Sequence, residues 1–134
     1  MSWVGYAEHD NEKRVRPVAQ AGYEDGYLET LNITWADSER GRGPTGTAVR
    51  TGEPSIGRNL LTDPNFEPWR AEALKRGYAS SICLPLIADG QIFGALTMYA
   101  VDPDAFDMKE VELLKELADD IAYSISALRL RAEH

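Results

Sequence analysis

Few residues in this chain are equipped for chemistry, and they stand apart from one another. Cys83 is the one cysteine, and His9 and His134 are the only histidines, in 134 residues. A single thiol excludes an internal disulfide and a structural zinc site. Redox exchange, chromophore attachment and metal ligation all need a thiolate, which forms in basic, partly exposed surroundings. Cys83 lies between Ile82 and Leu84, and this setting predicts a buried, inert thiol. His9 is a candidate for haem iron, but beside Asp10 and a polar turn it reads as a solvated loop residue. His134 is a chain end, where fraying is the default. The segment 41–46, GRGPTG, has the glycines of a phosphate-cradling loop without the Lys-Ser or Lys-Thr that completes one. It offers backbone N–H groups at a helix start, which serve either an anion or a structural turn. Acidic pairs such as Glu24-Asp25 and Asp119-Asp120 lack the apolar setting that acid–base work needs. Two histidines leave no credible Ser–His–Asp set.

The elements that must position these residues are organised around residues 79–101, ASSICLPLIADGQIFGALTMYAV. Asp89-Gly90 supplies the positive φ angles of a two-residue hairpin between strands 79–88 and 91–101. Ile82, Leu84 and Leu86 alternate with Cys83, Pro85 and Ile87. In the return strand Ile92, Leu96 and Met98 alternate with Phe93, Ala95 and Tyr99. A hairpin apolar on both sides belongs in the middle of a sheet covered on both faces. Further strands are expected at 2–9, 14–21 and 54–58, with Pro17 placing the second at an edge. Short helices are expected at 25–31, at 45–51 behind Pro44, and at 67–76 with Pro68 in its first turn. A long helix is expected over 107–131, with Asp107 and Glu110 at capping-box spacing. Along it Val111, Leu114, Ala118, Ile121, Ile125 and Leu128 form a heptad seam. At roughly 1.5 Å per residue the helix outruns what five short strands need. The seam therefore fits either a homodimer contact or the cover of its own sheet, with Leu113 and Leu117 widening the stripe.

One face of the hairpin, with Ser81, Cys83, Thr97 and Tyr99, is more polar than the other, with Ile82, Leu84, Leu86, Leu96 and Met98. Polar groups set in an apolar wall suit a small ligand, and equally a second core. The length fits one domain. A net charge of −8, spread along the chain, argues against nucleic acid. No apolar run approaches a membrane span and no signal peptide opens the chain, so no membrane partner and a cytoplasmic location are expected. No cofactor is required by any motif.

Three stretches in this order, GRGPTGTAVRTGEP, SSICLPLIADGQIFGALTMYA and DMKEVELLKELADDIAYSISALRL, resemble the GAF domain, a small-molecule sensor module of signalling proteins such as histidine kinases and cyclases. The resemblance covers nearly the whole chain. It implies an α/β fold of the α+β type: an antiparallel sheet of five to six strands, order 2-1-5-4-3, with helices on both faces. Family members usually open with a helix, so residues 1–134 are expected to be a single domain cut from a longer protein. By this resemblance Trp35, Arg58 and Trp69 roof the face of Ser81, Cys83, Thr97 and Tyr99, and Arg58 meets any anionic group of a ligand. The string NKFDE of cyclic-nucleotide-binding members is absent. Methionine-sulfoxide reductases on this scaffold use several cysteines, and this chain has one. The implied role is a non-catalytic sensing module, homodimeric through its last helix and linked to an output domain. A dimerisation module with a vestigial pocket, and a haem-binding, bilin-binding or redox variant, are the alternatives.

Overall fold

A computed structural model describes residues 2–21, 33–36, 41, 43–57, 59, 60, 62 and 64–133, with the side chains of 21, 65, 67 and 129–133 left aside. The expected helix at 25–31, Arg58 and His134 lie outside the described residues. Strands β1 (Ser2–Ala7), β2 (Val15–Ala21), β3 (Ser55–Gly57), β4 (Ser80–Ala88) and β5 (Gln91–Ala100) form one sheet of order β2-β1-β5-β4-β3. Every neighbouring pair is antiparallel. Helix α1 (Pro44–Thr51), a 3-10 turn (Pro64–Trp69) and α2 (Arg70–Lys75) cover one face, and α3 (Met108–Glu133) covers the other, lying along β4.

The hairpin forms as its turn residues dictate. Asp89 and Gly90 both adopt positive φ, 52° and 75°, the combination whose twist matches the flanking strands. Pro85 sits in a central strand without harm. β3 ends where Ser55 pairs with Cys83, so beyond that point one side of β4 has no ladder to lose. Pro17 lies in edge strand β2, at a register shift opposite Gly5.

Two expectations are corrected. The helix at 67–76 is split, with a 3-10 turn to Trp69 and α-helix only from Arg70. Pro64 and Pro68 lack N–H donors, and Pro68 biases Glu67 away from the α region. In β5, Ile92 packs with the face of Cys83 and Tyr99, and Phe93 with the face of Leu84 and Leu96. This reverses the strict alternation. Leu86 pairs with Gly94 but Ile87 pairs with Ile92, leaving Phe93 as the extra residue of a bulge. One extra residue flips the faces of all that follow it toward the turn.

Gly94 lies where β1 crosses close. A Cβ there would run into the carbonyl oxygen of Gly5. Both neighbours are sheet backbone and cannot yield cheaply. Gly94→Ala is expected to destabilise the protein by about 2 kcal/mol or more, measured by urea denaturation; a change below a few tenths would refute the packing argument.

Candidate functional site

The two faces of the sheet differ in kind. Under α3 the core is largely aliphatic: Ile82, Leu84, Leu86, Leu96, Leu114 and Ala118, with Phe106. Under α1 and α2 it is aromatic and hydroxylated. Trp3, Phe66, Trp69, Tyr78 and Tyr99 pack there with Cys83 and Ala95. Ser81, Cys83 and Thr97 are almost completely buried, at 0%, 0% and 1% exposure.

Helix α1 brings a partner for these hydroxyls. Its first turn is set by Gly43, in extended conformation, and by Pro44, whose missing N–H costs nothing at that position. Thr45 Oγ1 then lies 3.1 Å from Thr97 Oγ1. Thr97 in turn donates to Cys83 Sγ at 3.2 Å. On the next position of the same face, Trp3 Nε1 donates to Tyr99 Oη at 3.4 Å, and Tyr78 stacks on Tyr99 with centroids 5.0 Å apart. Ser81 Oγ is the exception: among the described residues it is the buried side-chain polar atom with no hydrogen-bond partner.

Between α1 and the aromatic segment lies a small, partly open space. Ile33, Pro44, Thr45, Gly46, Phe66, Trp69 and Tyr99 line it, and it amounts to about 10 Å³, room for a single water. Trp69 is the largest of these side chains. Its indole lies so close over Gly43 that a Cβ there would overlap the ring. The 3-10 turn carries Phe66 and Trp69 to the site with centroids 5.8 Å apart. Arg76 closes the following helix, donating at 2.9 Å to the Glu72 carbonyl and at 2.8 Å to its carboxylate. That hydrogen bond is the main cause holding the Glu72 carboxyl below its ordinary value.

Of the residues proposed for a ligand site, Trp69, Ser81, Cys83, Thr97 and Tyr99 share this face, and Trp69 and Tyr99 border the space itself. Trp35 is half-buried at the margin. Its Nε1 donates to the Glu8 carbonyl at 2.9 Å, His9 meets its ring edge-on, and the Lys13 ammonium sits 4.8 Å from its centroid. Arg58 follows Gly57, which pairs with Ser81, but lies outside the described residues. Residues missed by the sequence reading are Trp3, Thr45, Phe66 and Tyr78. Trp3, Gly5 and Ala7 alternate toward this face, a signal present in the sequence; the approach of Thr45 to Thr97 has none. At the start of α1 the Trp69 ring lies against Gly43. No group of three or more His, Cys, Asp or Glu able to hold a metal occurs among the described residues.

Helix α3 is the second surface of interest. Asp107 Oδ1 accepts from the Glu110 N–H at 2.8 Å and caps it. Leu114 and Ala118, central to the heptad seam, are buried against the sheet, and Val111, Ile121 and Ile125 pack partly against the same core. The seam is therefore largely occupied by its own sheet. Leu113, Leu117 and Leu128 stand 56%, 42% and 61% exposed. No helix among the described residues is long and apolar enough to cross a membrane.

A family profile for the GAF domain matches residues 1–126. The chain belongs to the GAF domain family. Solved GAF-type structures agree in fold. A domain assigned to a two-component sensor histidine kinase from Sinorhizobium meliloti is 18% identical, with a TM-score of 0.73 over 98% of this chain and 83% of that one. The GAF domain of a phosphoenolpyruvate-protein phosphotransferase from Coxiella burnetii is 19% identical, with a TM-score of 0.77 over 99% and 75%. The free methionine-R-sulfoxide reductase of Neisseria meningitidis, solved with its substrate, is 23% identical, with a TM-score of 0.66 over 96% and 70%. No curated protein matches the chain.

Burial pushes the Cys83 thiol up from 9.0 to about 11, against the smaller opposing effect of hydrogen bonds from Thr97 and Thr45. A raised value means that the unfolded chain loses this proton first. The contribution of Cys83 is fully present below about pH 9 and is lost as pH rises toward about 11. The fall is on the order of 3 kcal/mol. Cys83→Ala is expected to remove that alkaline component from the stability–pH profile. In the native protein a thiol reagent should label Cys83 only as fast as the protein opens; rapid labelling would contradict the burial.

Proposed function

We propose that this GAF domain is a non-catalytic sensing module that takes a small molecule on its aromatic face, beside the first turn of α1. The observation that carries this is the makeup of that face: aromatic walls and buried hydroxyls meet at a small space bordered by Thr45, Trp69 and Tyr99. Pockets that bind small molecules combine an apolar lining with a few placed polar groups. A ligand needs more than the present 10 Å³, so its entry requires the Phe66–Trp69 segment to shift. That requirement couples occupancy to the shape of the domain. It also favours the second reading, an interaction module whose face is closed. Reductase chemistry like that of the Neisseria relative is disfavoured, because the chain's one thiol is buried and protonated.

We propose further that two copies pair through α3 and that the module sits beside an output domain in a cytoplasmic signalling protein. The support for pairing is the exposed flank Leu113, Leu117 and Leu128, continuous with half-buried Ile121 on the same helix. Signal transfer would be a small shift of these helices.

Two measurements test these readings. A saturating ligand at about 100 times its Kd is expected to raise Tm by about 10 °C. A broad thermal-shift screen without a saturable response would leave the closed-face reading. By sedimentation, Leu113→Glu with Leu117→Glu is expected to convert a dimer to a folded monomer; a wild-type monomer at high concentration would overturn pairing through α3.

A further inference from the structure

We infer that the free edge of β4 is a docking groove for a short, basic, extended peptide of a partner protein. The inference is independent of the aromatic face, whose small space shares no lining residue with this groove. β3 reaches only to Ser55, opposite Cys83, and past that point no described strand flanks β4 on this side. Pro85 has no N–H to give to β5, so its backbone is directed to the open side. Backbone groups alternate in direction along a strand. Two residues on, the N–H and C=O of Ile87 are therefore directed there too. An edge of this kind is a template for another strand. Pro85 removes one donor from it, which suits a short segment better than continuous sheet growth.

The groove beside the edge supplies side-chain contacts for the added strand. Pro54, Leu84, Pro85, Ile87 and Ala118 line a hollow of about 90 Å³ between β4 and α3, room for one branched aliphatic side chain. A second hollow of about 350 Å³ shares Ile87 and Asp119 with the first and continues past Asp89 to Tyr123. Ile87 stands 41% exposed at the rim between them. The charged groups of the two hollows are Glu53, Asp89 and Asp119 against Lys115. Lys115 Nζ already lies 3.8 Å from Glu112 Oε1, while the three carboxylates form no ion pair among the described residues. This excess of negative charge selects a basic partner. It opposes a second copy docking by the same edge, which would set these carboxylates against one another. Alternate residues of an extended chain share a face about 7 Å apart. A segment with an aliphatic residue between two basic ones, each two places away, thus puts its aliphatic group in the hollow and its charges toward Glu53 and Asp119.

The peptide acetyl-Lys-Thr-Val-Thr-Lys-amide tests this against two controls. One control has Glu in place of both Lys. The other is N-methylated at both Thr, which removes the N–H groups that pair with the edge. Titrated into the domain at low salt and followed by amide NMR, the first peptide is expected to bind saturably and shift Ile87, Ala88 and Asp119. Its affinity is expected to exceed that of either control by about 10-fold or more, and to fall as salt is added. Glu53→Gln together with Asp119→Asn is expected to weaken it about 5-fold with Tm unchanged, since both side chains are exposed. Equal binding of either control would overturn the inference, as would the absence of saturable binding. Shifts confined to α1 and Tyr99 would move the peptide to the aromatic face and overturn it too. Broadening of Ile87 and Ala88 with protein concentration alone would make the occupant a second copy, with the same consequence.

Discussion

The structure depends on burying both faces of one hairpin. Leu84, Leu86 and Leu96 point one way from β4 and β5, and Cys83, Ala95 and Tyr99 point the other, all at 9% exposure or less. Each large apolar side chain left in water would cost about 1.5–3 kcal/mol. Neither side can stay bare, so the sheet needs two covering layers. α3 supplies one. The other is assembled from short pieces, α1, the 3-10 turn and α2, each too short to be stable alone. They hold their place through contacts with the sheet: Thr45 with Thr97, and Phe66 and Trp69 with the aromatic core.

The two layers differ in construction. An aliphatic core under a long helix is the cheaper way to stabilise a sheet, since it leaves no polar group to satisfy. The opposite face carries hydroxyls that need partners, and finds them for Thr45 and Thr97 but not for Ser81. A layer built of short segments over an incompletely satisfied face opens at lower free energy than one built on a single long helix. On the other side α3 carries an exposed apolar flank along a continuous rod.

How much of this could be read beforehand depends on the range of the interaction. Turns and caps are local, and they were legible: Asp89-Gly90 makes its hairpin, Gly52 ends α1 with φ 76°, and Asp107 caps α3. Strand positions, the edge place of Pro17 and the polar contrast between hairpin faces followed from alternation. The sheet order came from the resemblance carried by three motifs, and the observed strand pairing agrees with it. The split of the 67–76 helix was less legible, because a proline in the first turn suits an α-helix and a 3-10 turn alike.

By itself, then, the sequence determined the five strands, the first and last of the described helices, the two-faced hairpin and the family, since these rest on near neighbours and on motif order. The tertiary structure alone decided which residues meet. The bulge at Phe93 exchanged the faces of Ile92 and Phe93, because a ladder's register depends on its partner strand. It placed Trp69 over Gly43 while Trp35 remained at the margin with Glu8 and His9. It joined Thr45 to Thr97 across 52 positions of sequence. It also put Leu114 and Ala118 against the sheet and left Leu113 and Leu117 outside. A heptad pattern records that a helix has an apolar side; only the packed layers settle what that side covers.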